Sequence, residues 1–304
     1  MNLLRSTLIL LVANSADGFN VAPAAGISKV MKGRSSDILP AMAQTQSMMS
    51  KRGSQTKSSL MATTSPSPSD TELDTSAILK YGVAAVTQLS LISGFFYGVD
   101  YALTATGNSV LPTPVTWIMC YAFSLKSRTF NPLNNERPNR QKAVEGEKSN
   151  GFKDRVQPSW TPPGVVFPIM WLLIIGPLRA TSSTMIIESL GGYFSLPLMS
   201  LMLHLTCGDI WNTINNTEKR FGTSVLGIST VYFSALHAAY RYYEVDPLAG
   251  KLLGATAIWL TIASALIIDT WRLNPDQNGE RGSLLPRKAV GEESVTTFSW
   301  GKKS

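Results

Sequence analysis

Four polar or reactive side chains share one apolar segment of the sequence. His204, Cys207, Asp209 and Asn212 lie within residues 192–214, which are otherwise mainly apolar. Polar and ionisable groups inside a membrane span are costly, and they generally face other helices or a cavity. His204 could ligate haem iron, hydrogen-bond a carboxylate or carbonyl of a ligand, or form an interhelical hydrogen bond. His204 and Asp209 lie about 140° apart around a helix, so they are expected on different faces.

Aromatic side chains form a second candidate set. Phe167, Trp171, Trp211 and Trp259 lie in three different apolar segments. Their flat faces suit a flat apolar ligand such as a tetrapyrrole, a sterol or an isoprenoid, although aromatic residues at helical spacing are equally typical of an ordinary core. Trp160 lies among prolines, whose stiff backbone could hold its ring as a cavity lid or as an anchor at the membrane interface.

Other side chains give weaker signals. Arg179 is a mid-span candidate for holding a ligand carboxylate, but the hydroxyl residues after it could equally mark a hydrated helix end. Cys120 and Cys207 lie in apolar surroundings, so they are expected to be free thiols, and two cysteines exclude a disulfide framework or a cysteine-rich metal site. The sequence contains no phosphate-binding glycine loop, no H-E-x-x-H and no G-x-S-x-G. No common catalytic motif therefore indicates an enzyme.

Long apolar segments predict the elements that position these residues. Five of them have the length of a membrane span: residues 77–99, 165–187, 192–214, 222–241 and 250–271. Helices are expected because lipid offers no water to satisfy an open backbone. The shorter segment 108–125 is interrupted by Pro112 and Pro114, which predicts an interfacial or partly inserted helix, or a distorted extra span. The fold class is therefore an all-α membrane protein, a five-helix bundle with an extra interfacial helix.

The charge distribution separates a leader from the bundle. Of the net charge of +7, five units lie in residues 1–69. Residues 1–18 have the basic start, short apolar core and small-residue cleavage site of a signal peptide, and residues 19–69 have the composition of a transit peptide. Together they resemble the bipartite plastid-targeting leaders of algae with secondary plastids. The alternative is a plain secretory leader, which would direct the protein to the endoplasmic reticulum or another endomembrane.

Polar segments complete the domain plan. Residues 100–157 are assigned to the interfacial helix and a polar loop, and residues 275–304 to a mobile polar tail. Most of the basic residues outside the leader fall in loops on one side of the predicted bundle, which sets its orientation in the membrane. No basic stripe interleaved with aromatic residues indicates a nucleic-acid partner.

A short motif carries a resemblance to a known family. The segment 158–163 reads P-S-W-T-P-P and is followed by Phe167 and Trp171. This resembles the P-x-W-T-P-P…F-x-x-x-W signature of the TspO/translocator family, the tryptophan-rich sensory proteins. Trp211, Trp259 and the W-R-L-N-P sequence at 271–275 agree with the family in order. The resemblance covers about residues 155–275 and implies the family's five-helix bundle, with residues 158–274 forming its last four helices.

The chain also departs from the family pattern. Val165 stands where the family usually has a second tryptophan, and in the third span His204 stands at a glutamine and Gly208 at an asparagine. Asn215 and Asn216 lie near the family's aromatic pair, and Ala255 and Thr256 replace a Pro-Tyr pair. These departures leave the implied fold intact and put the ligand in doubt.

The resemblance implies an integral membrane protein that binds or translocates a tetrapyrrole (haem or porphyrin), or a sterol or isoprenoid, in transport, scavenging or stress signalling. No cofactor is required, although haem or porphyrin could be bound, and the partners would be a lipophilic small molecule, membrane lipid, and a second copy or a membrane complex. The alternative is a structural or assembly subunit of an organelle membrane complex with a vestigial cavity, and a porphyrin-degrading enzyme is less favoured. The implied ligand-binding residues are Trp160, Pro162, Pro163, Phe167, Trp171, His204, Trp211 and Trp259, with His204 as a candidate axial ligand of haem.

Overall fold

The computed structural model describes residues 71–135, 155–275 and 279–299. The predicted signal peptide and transit-like segment, residues 1–18 and 19–69, lie outside the described residues. In chain order the elements are β1 (Thr71–Leu73), α1 (Thr75–Ala105), α2 (Thr113–Lys126), α3 (Val166–Leu190), α4 (Leu196–Asn212), α5 (Phe221–Val245), α6 (Pro247–Leu273) and β2 (Arg287–Ala289). A 3₁₀ turn, Ser127–Phe130, follows α2, and a π turn, Thr213–Thr217, follows α4.

Three helices, α1, α3 and α6, are long and apolar enough to cross a membrane. Their lengths of 31, 25 and 27 residues exceed the approximately 20 residues that a bilayer requires. Helix α4 has only 17 residues before its π turn. Helix α5 has 25 residues, but serine, threonine, histidine and tyrosine interrupt its apolar sequence. The chain is mostly helical as predicted, and the predicted count of five spans is not confirmed.

Aspartate side chains cap the starts of α1 and α6. Asp74 accepts a hydrogen bond from the Ala77 N–H at 2.9 Å and caps α1. Asp246 accepts bonds from the N–H groups of Leu248 and Ala249 and caps α6, which opens with a proline. Such caps satisfy amide groups that have no partner within the helix. The starts of α1 and α6 are therefore determined by these caps as well as by the apolar pattern of the sequence.

The helices form a closed ring of neighbours. Helix α2 packs on α3, α3 on α6, α6 on α5, α5 on α4, and α4 on α1. The rings of Phe96 in α1 and Phe123 in α2 lie 4.7 Å apart between centroids and join the two ends of this series. Asp100, in the last turns of α1, accepts hydrogen bonds from the N–H groups of Tyr193 and Phe194 in the α3–α4 connection. The interior of the ring holds the site described below.

Residues 279–299 lie against one end of the bundle, although the sequence assigned them to a mobile tail. Strand β2 pairs antiparallel with β1, with Glu72 opposite Lys288. The Lys80 ammonium donates to the Thr296 carbonyl at 2.7 Å, and the indole N–H of Trp271 donates to the Gly282 carbonyl at 2.8 Å. The segment is held because its backbone finds partners on α1 and α6, which its polar composition does not reveal.

Gly222, near the start of α5, allows the closest approach of this segment to the bundle. A Cβ atom at this position would overlap the carbonyl groups of Gly282 and Ser283. We expect Gly222→Ala to weaken the attachment of the segment by about 1–3 kcal/mol, the usual cost of overpacking. Trypsin should then cleave faster after Arg287 in detergent-solubilised protein. Gly94→Ala in α1 is the matched control, because a Cβ atom there meets nothing within 4 Å. Equal cleavage rates in the two variants would contradict the expected contact.

Candidate ligand cavity

A cavity of about 130 Å³ lies within the ring of helices. The 3₁₀ turn after α2 and helices α2 to α6 all contribute to its wall. Three of the eight predicted ligand-binding residues line it, namely Trp171, His204 and Trp211. Its other polar lining residues are Ser124, Ser127, Arg179, Asp209 and Asn212, and its apolar ones include Leu205, Ile228, Val231 and Leu260. The wall is therefore aromatic and aliphatic with a few polar groups, the usual composition of a small-molecule site.

His204 is buried, with 2% of its surface exposed, and both of its ring nitrogens are engaged. Its Nε2 lies 2.6 Å from the Arg179 Nη2, and its Nδ1 lies 3.0 Å from the Val231 carbonyl oxygen. A guanidinium group only donates and a carbonyl only accepts, so Nε2 accepts and Nδ1 donates. The imidazole is therefore neutral, and the lone pair that would ligate a metal is held by Arg179.

Arg179 is the most deeply buried cation at the cavity, with 3% of its surface exposed. A guanidinium has five N–H donors, and within residues 71–135, 155–275 and 279–299 its only hydrogen bond is the one to His204. Its Nε is buried and has no acceptor among those residues. Its central carbon lies 5.2 Å from the centroid of a Trp171 ring, a cation–π contact. The guanidinium thus has unused donors beside the cavity.

Asp209 is held on the opposite side by groups from other elements. Its Oδ2 accepts hydrogen bonds of 2.7 Å from both the Gln88 side-chain amide and the Ser127 hydroxyl. Gln88 in turn accepts a bond of 2.7 Å from the Asn131 amide. Asp209 and His204 therefore bond to different neighbours, as their angular separation on α4 predicts, while both border one cavity.

A π-helical segment, Met170–Ile175, shapes the part of α3 that carries Trp171. In this register the Gly176 N–H bonds to the Trp171 carbonyl, and the next residue, Pro177, has no N–H to offer to the Leu172 carbonyl. The Tyr121 hydroxyl of α2 donates to that carbonyl at 2.8 Å instead. Short π segments are frequent at functional sites. Here the segment sets the rotation of Trp171 relative to Arg179.

We expect Tyr121→Phe to lower the free energy of unfolding by about 1–3 kcal/mol, because it leaves the Leu172 carbonyl without a donor. Thermal unfolding in detergent, followed by tryptophan fluorescence, measures the change. Tyr101→Phe is the matched control, since Tyr101 is 71% exposed near the end of α1. A stability loss no larger than that of the control would mean that Tyr121 does not substitute for the missing proline donor.

The structure places the remaining predicted residues outside the cavity lining. Phe167 and Trp259 are buried and meet edge to face at 5.7 Å, forming a cluster that also packs on Trp171. Trp160 is 43% exposed, and its indole N–H donates to Asp269 of α6 at 3.0 Å. Pro162 is half-buried and Pro163 is exposed in the turn before α3. The proline segment is thus fastened to α6, and Trp160 does not border the cavity.

Two groups at the site, Gln88 and Ser127, are not among the residues predicted from the sequence. Gln88 is a polar residue in the middle of the apolar segment 77–99, the same pattern that singled out His204. Ser127 lies just beyond α2, and nothing in its own sequence context connects it with Asp209. Gln88 could have been found from the sequence, whereas the position of Ser127 depends on how α2 ends.

The apolar helices and the partly polar cavity between them are those of a helical membrane protein. Residues 140–272 match the TspO/MBR family, and this match supports membership of the chain in that family. The family resemblance of the W-T-P-P segment is thereby confirmed.

Several relatives support the assignment at moderate identity. The chain is 28% identical over 126 residues to "Protein CrtK" of Rhodobacter capsulatus, covering 40% of this chain and 76% of the relative. It is 27% identical over 142 residues to the human "Translocator protein", covering 46% and 82%. It is 24% identical over 118 residues to the "Tryptophan-rich sensory protein" of Cereibacter sphaeroides, covering 39% and 73%. Less than half of this chain is therefore shared with each relative.

Proposed function

We propose that this protein binds a flat lipophilic molecule in the cavity between its helices and translocates or senses it. A tetrapyrrole such as haem or a porphyrin is the first candidate, and a sterol or an isoprenoid is the second. The observation that carries the proposal is the cavity walled by Trp171 and Trp211, together with a match to a family whose members include proteins named translocator and sensory protein. The proposed role is binding in transport, scavenging or stress signalling rather than catalysis.

The size of the cavity limits how such a ligand could bind. A cavity of about 150 Å³ holds a benzene-sized molecule, and this one measures about 130 Å³. One ring or one substituent of a tetrapyrrole therefore fits the cavity as it stands, and a whole tetrapyrrole requires the helices to separate. Only one end of a sterol or an isoprenoid would likewise fit into the cavity as it stands.

We infer that the family's five-span bundle consists of α1, α3, α4, α5 and α6, with α2 at the interface. The π turn extends the helical path of α4 to Thr217, which brings it to the length of a span. Helix α2 has 14 residues, too few to cross the hydrocarbon core. We also propose a plastid membrane as the location, because residues 1–69 have the composition of a bipartite leader.

A titration of the purified full chain in detergent tests the proposed binding. Protoporphyrin is added, and tryptophan quenching and the Soret band are followed. We expect saturable quenching that weakens in Trp171→Phe and Trp211→Phe. Trp271→Phe is the matched control, because Trp271 lies at the end of α6 and bonds to the C-terminal segment. Absence of saturable quenching, or equal weakening in the control, would contradict binding in this cavity.

Haem binding gives a separate expectation about His204. Because Arg179 holds the Nε2 lone pair, we expect haem to bind without His204 as its axial ligand. The Soret maximum of the haem complex should then be the same in the wild type and in His204→Gln, measured under identical detergent conditions. A Soret shift confined to His204→Gln, and absent from His237→Gln, would show that His204 ligates the iron after all.

The small cavity also favours a second candidate function, that of a structural or assembly subunit of a membrane complex. In that case the bundle would contact other proteins, and the cavity would be vestigial. Migration in a large assembly on native gels, together with no ligand binding in the titration above, is the expected result for this alternative.

A further inference from the structure

We propose that the cavity selects ligands that carry a carboxylate, and that Arg179 is the residue that binds it. The inference rests on the proposed function, since it takes the cavity to be the ligand site. It adds the chemical class of the ligand, an apolar organic anion, and names the residue that determines specificity.

The first observation is the state of the Arg179 guanidinium. Only 3% of its surface is exposed, it borders the cavity, and its Nε has no acceptor among the described residues. A buried cation is stable only when it is paired and hydrogen-bonded. The one hydrogen bond that the described structure supplies goes to a neutral imidazole, which provides no countercharge. A ligand carboxylate would supply both the charge and the acceptors.

The second observation is the balance of charge around the cavity. Asp209 is the one carboxylate among the described lining residues, and it interacts electrostatically with both Arg128 and Arg179. The described groups that reach it from α1 and the 3₁₀ turn, Gln88 and Ser127, are neutral. The lining residues of α5 and α6 are apolar. Asp209 is therefore shared between two guanidinium groups, and its hydrogen bonds among the described residues go to Gln88 and Ser127 rather than to Arg179.

The third observation is what surrounds the guanidinium. Trp171 lies against one side of it, and Trp211, Leu205 and Leu260 form the apolar part of the wall. This wall would hold a flat apolar body while the guanidinium binds a carboxylate in a charge-assisted, two-point contact. Water could fill the cavity, but it would solvate the cation without neutralising it. The arrangement favours an amphipathic anion over a neutral molecule of the same shape.

The test compares matched ligand pairs that differ in charge. Protoporphyrin is compared with its dimethyl ester, and benzoate with benzamide, whose size suits the cavity as it stands. We expect the acid to bind at least about tenfold more tightly than the ester, because the ester leaves the guanidinium unpaired. Benzoate should raise the midpoint of thermal unfolding, and benzamide should not.

Variants of the full chain test whether Arg179 causes the preference for the acid over the ester. In Arg179→Gln the ratio of acid to ester affinity should fall close to one, and benzoate should no longer stabilise the protein. Arg179→Lys should give an intermediate ratio, since it keeps the charge without the planar pair of donors. Arg272→Gln is the control for loss of one positive charge, because Arg272 is at the end of α6, paired with Asp269 and away from the cavity. Each porphyrin also partitions into detergent micelles. This partitioning is the same for every variant, so it cancels when the ratios of acid to ester affinity are compared between variants.

The outcomes separate this inference from the proposed function. If both porphyrins bind and the ratio is the same in Arg179→Gln and in the wild type, the carboxylate preference is overturned while the binding function stands. If neither porphyrin binds, the tetrapyrrole proposal fails. The comparison of benzoate with benzamide then tests the carboxylate preference by itself. Equal effects of benzoate and benzamide, including no effect of either, would then overturn it. If Arg179→Gln does not fold, an unchanged ratio in Arg179→Lys overturns it.

Discussion

Replacing Asp74 with alanine is expected to lower the free energy of unfolding by about 3–5 kcal/mol, the usual cost of removing one partner of a buried ion pair. Asp74 is fully buried and accepts hydrogen bonds from Arg220 at 2.5 Å, from Ser294 at 2.8 Å and from the Ala77 N–H at 2.9 Å. These donors come from the connection before α5, from the C-terminal segment and from α1. One carboxylate therefore joins three separate parts of the chain at one end of the bundle.

Two control variants separate the causes of this loss. Asp74→Asn keeps an oxygen that can cap α1 but removes the charge that Arg220 requires, so an intermediate loss is expected. Glu72→Ala removes a neighbouring pair with Lys288 in which the Glu72 side chain is 47% exposed, and it should cost no more than about 1 kcal/mol. Unfolding can be followed with a thiol-reactive dye in a Cys207→Ser background, because Cys120 is buried whereas Cys207 is only partly buried. A loss for Asp74→Ala no greater than for Glu72→Ala would refute the proposed role.

The surroundings of Asp74 also predict how the free energy of unfolding depends on pH. Burial alone would raise the pKa of Asp74, but the hydrogen bonds from Arg220, Ala77 and Ser294 hold it below its ordinary value. Its contribution is therefore present above the pKa of the unfolded chain and is lost as pH falls through the lowered pKa. Glu218 acts in the opposite sense, because burial raises its pKa and ionisation then destabilises the folded state. The difference between wild type and Asp74→Asn should isolate Asp74 and shrink at acid pH.

The helices could be predicted from the sequence because apolar length is a direct requirement of the bilayer. The segments 165–187 and 250–271 correspond closely to α3 (Val166–Leu190) and α6 (Pro247–Leu273). The position of the C-terminal segment could not be predicted in this way. Its attachment depends on single hydrogen bonds to Lys80 and Trp271 and on the absence of a side chain at Gly222, none of which leaves a periodic pattern.

The cavity was predictable only in part. Trp171, His204 and Trp211 could be assigned to an interior from their residue types, because polar and aromatic side chains in apolar segments tend to face inward. Which of them share a space depends on the rotation of each helix. The π register of α3 changes that rotation near Trp171, and Trp259 of α6 does not line the cavity. The contact of Arg179 with His204 likewise depends on the relative heights of α3 and α4, which spacing within one helix does not determine.

His204→Ala is expected to lower the free energy of unfolding by about 3–5 kcal/mol, because it removes the one described hydrogen bond of the buried Arg179 guanidinium. It also leaves the Val231 carbonyl with fewer donors and enlarges the cavity, both of which add to the cost. His204→Gln should recover most of this loss. The glutamine carbonyl can accept from Arg179 while its amide donates towards Val231, so both bonding roles of the neutral imidazole are preserved.

A double-mutant cycle with Arg179→Met distinguishes the unpaired charge from the lost volume. If the cost of His204→Ala comes mainly from stranding the guanidinium, then His204→Ala should be much less costly when Arg179 is already methionine. If the cost comes from the cavity, it should be the same in both backgrounds. Thermal unfolding of the four proteins in one detergent gives the coupling energy, and a value near zero would show that the bond between the two side chains does not stabilise the bundle. A large coupling would instead mean that the histidine stabilises the buried guanidinium beside the cavity.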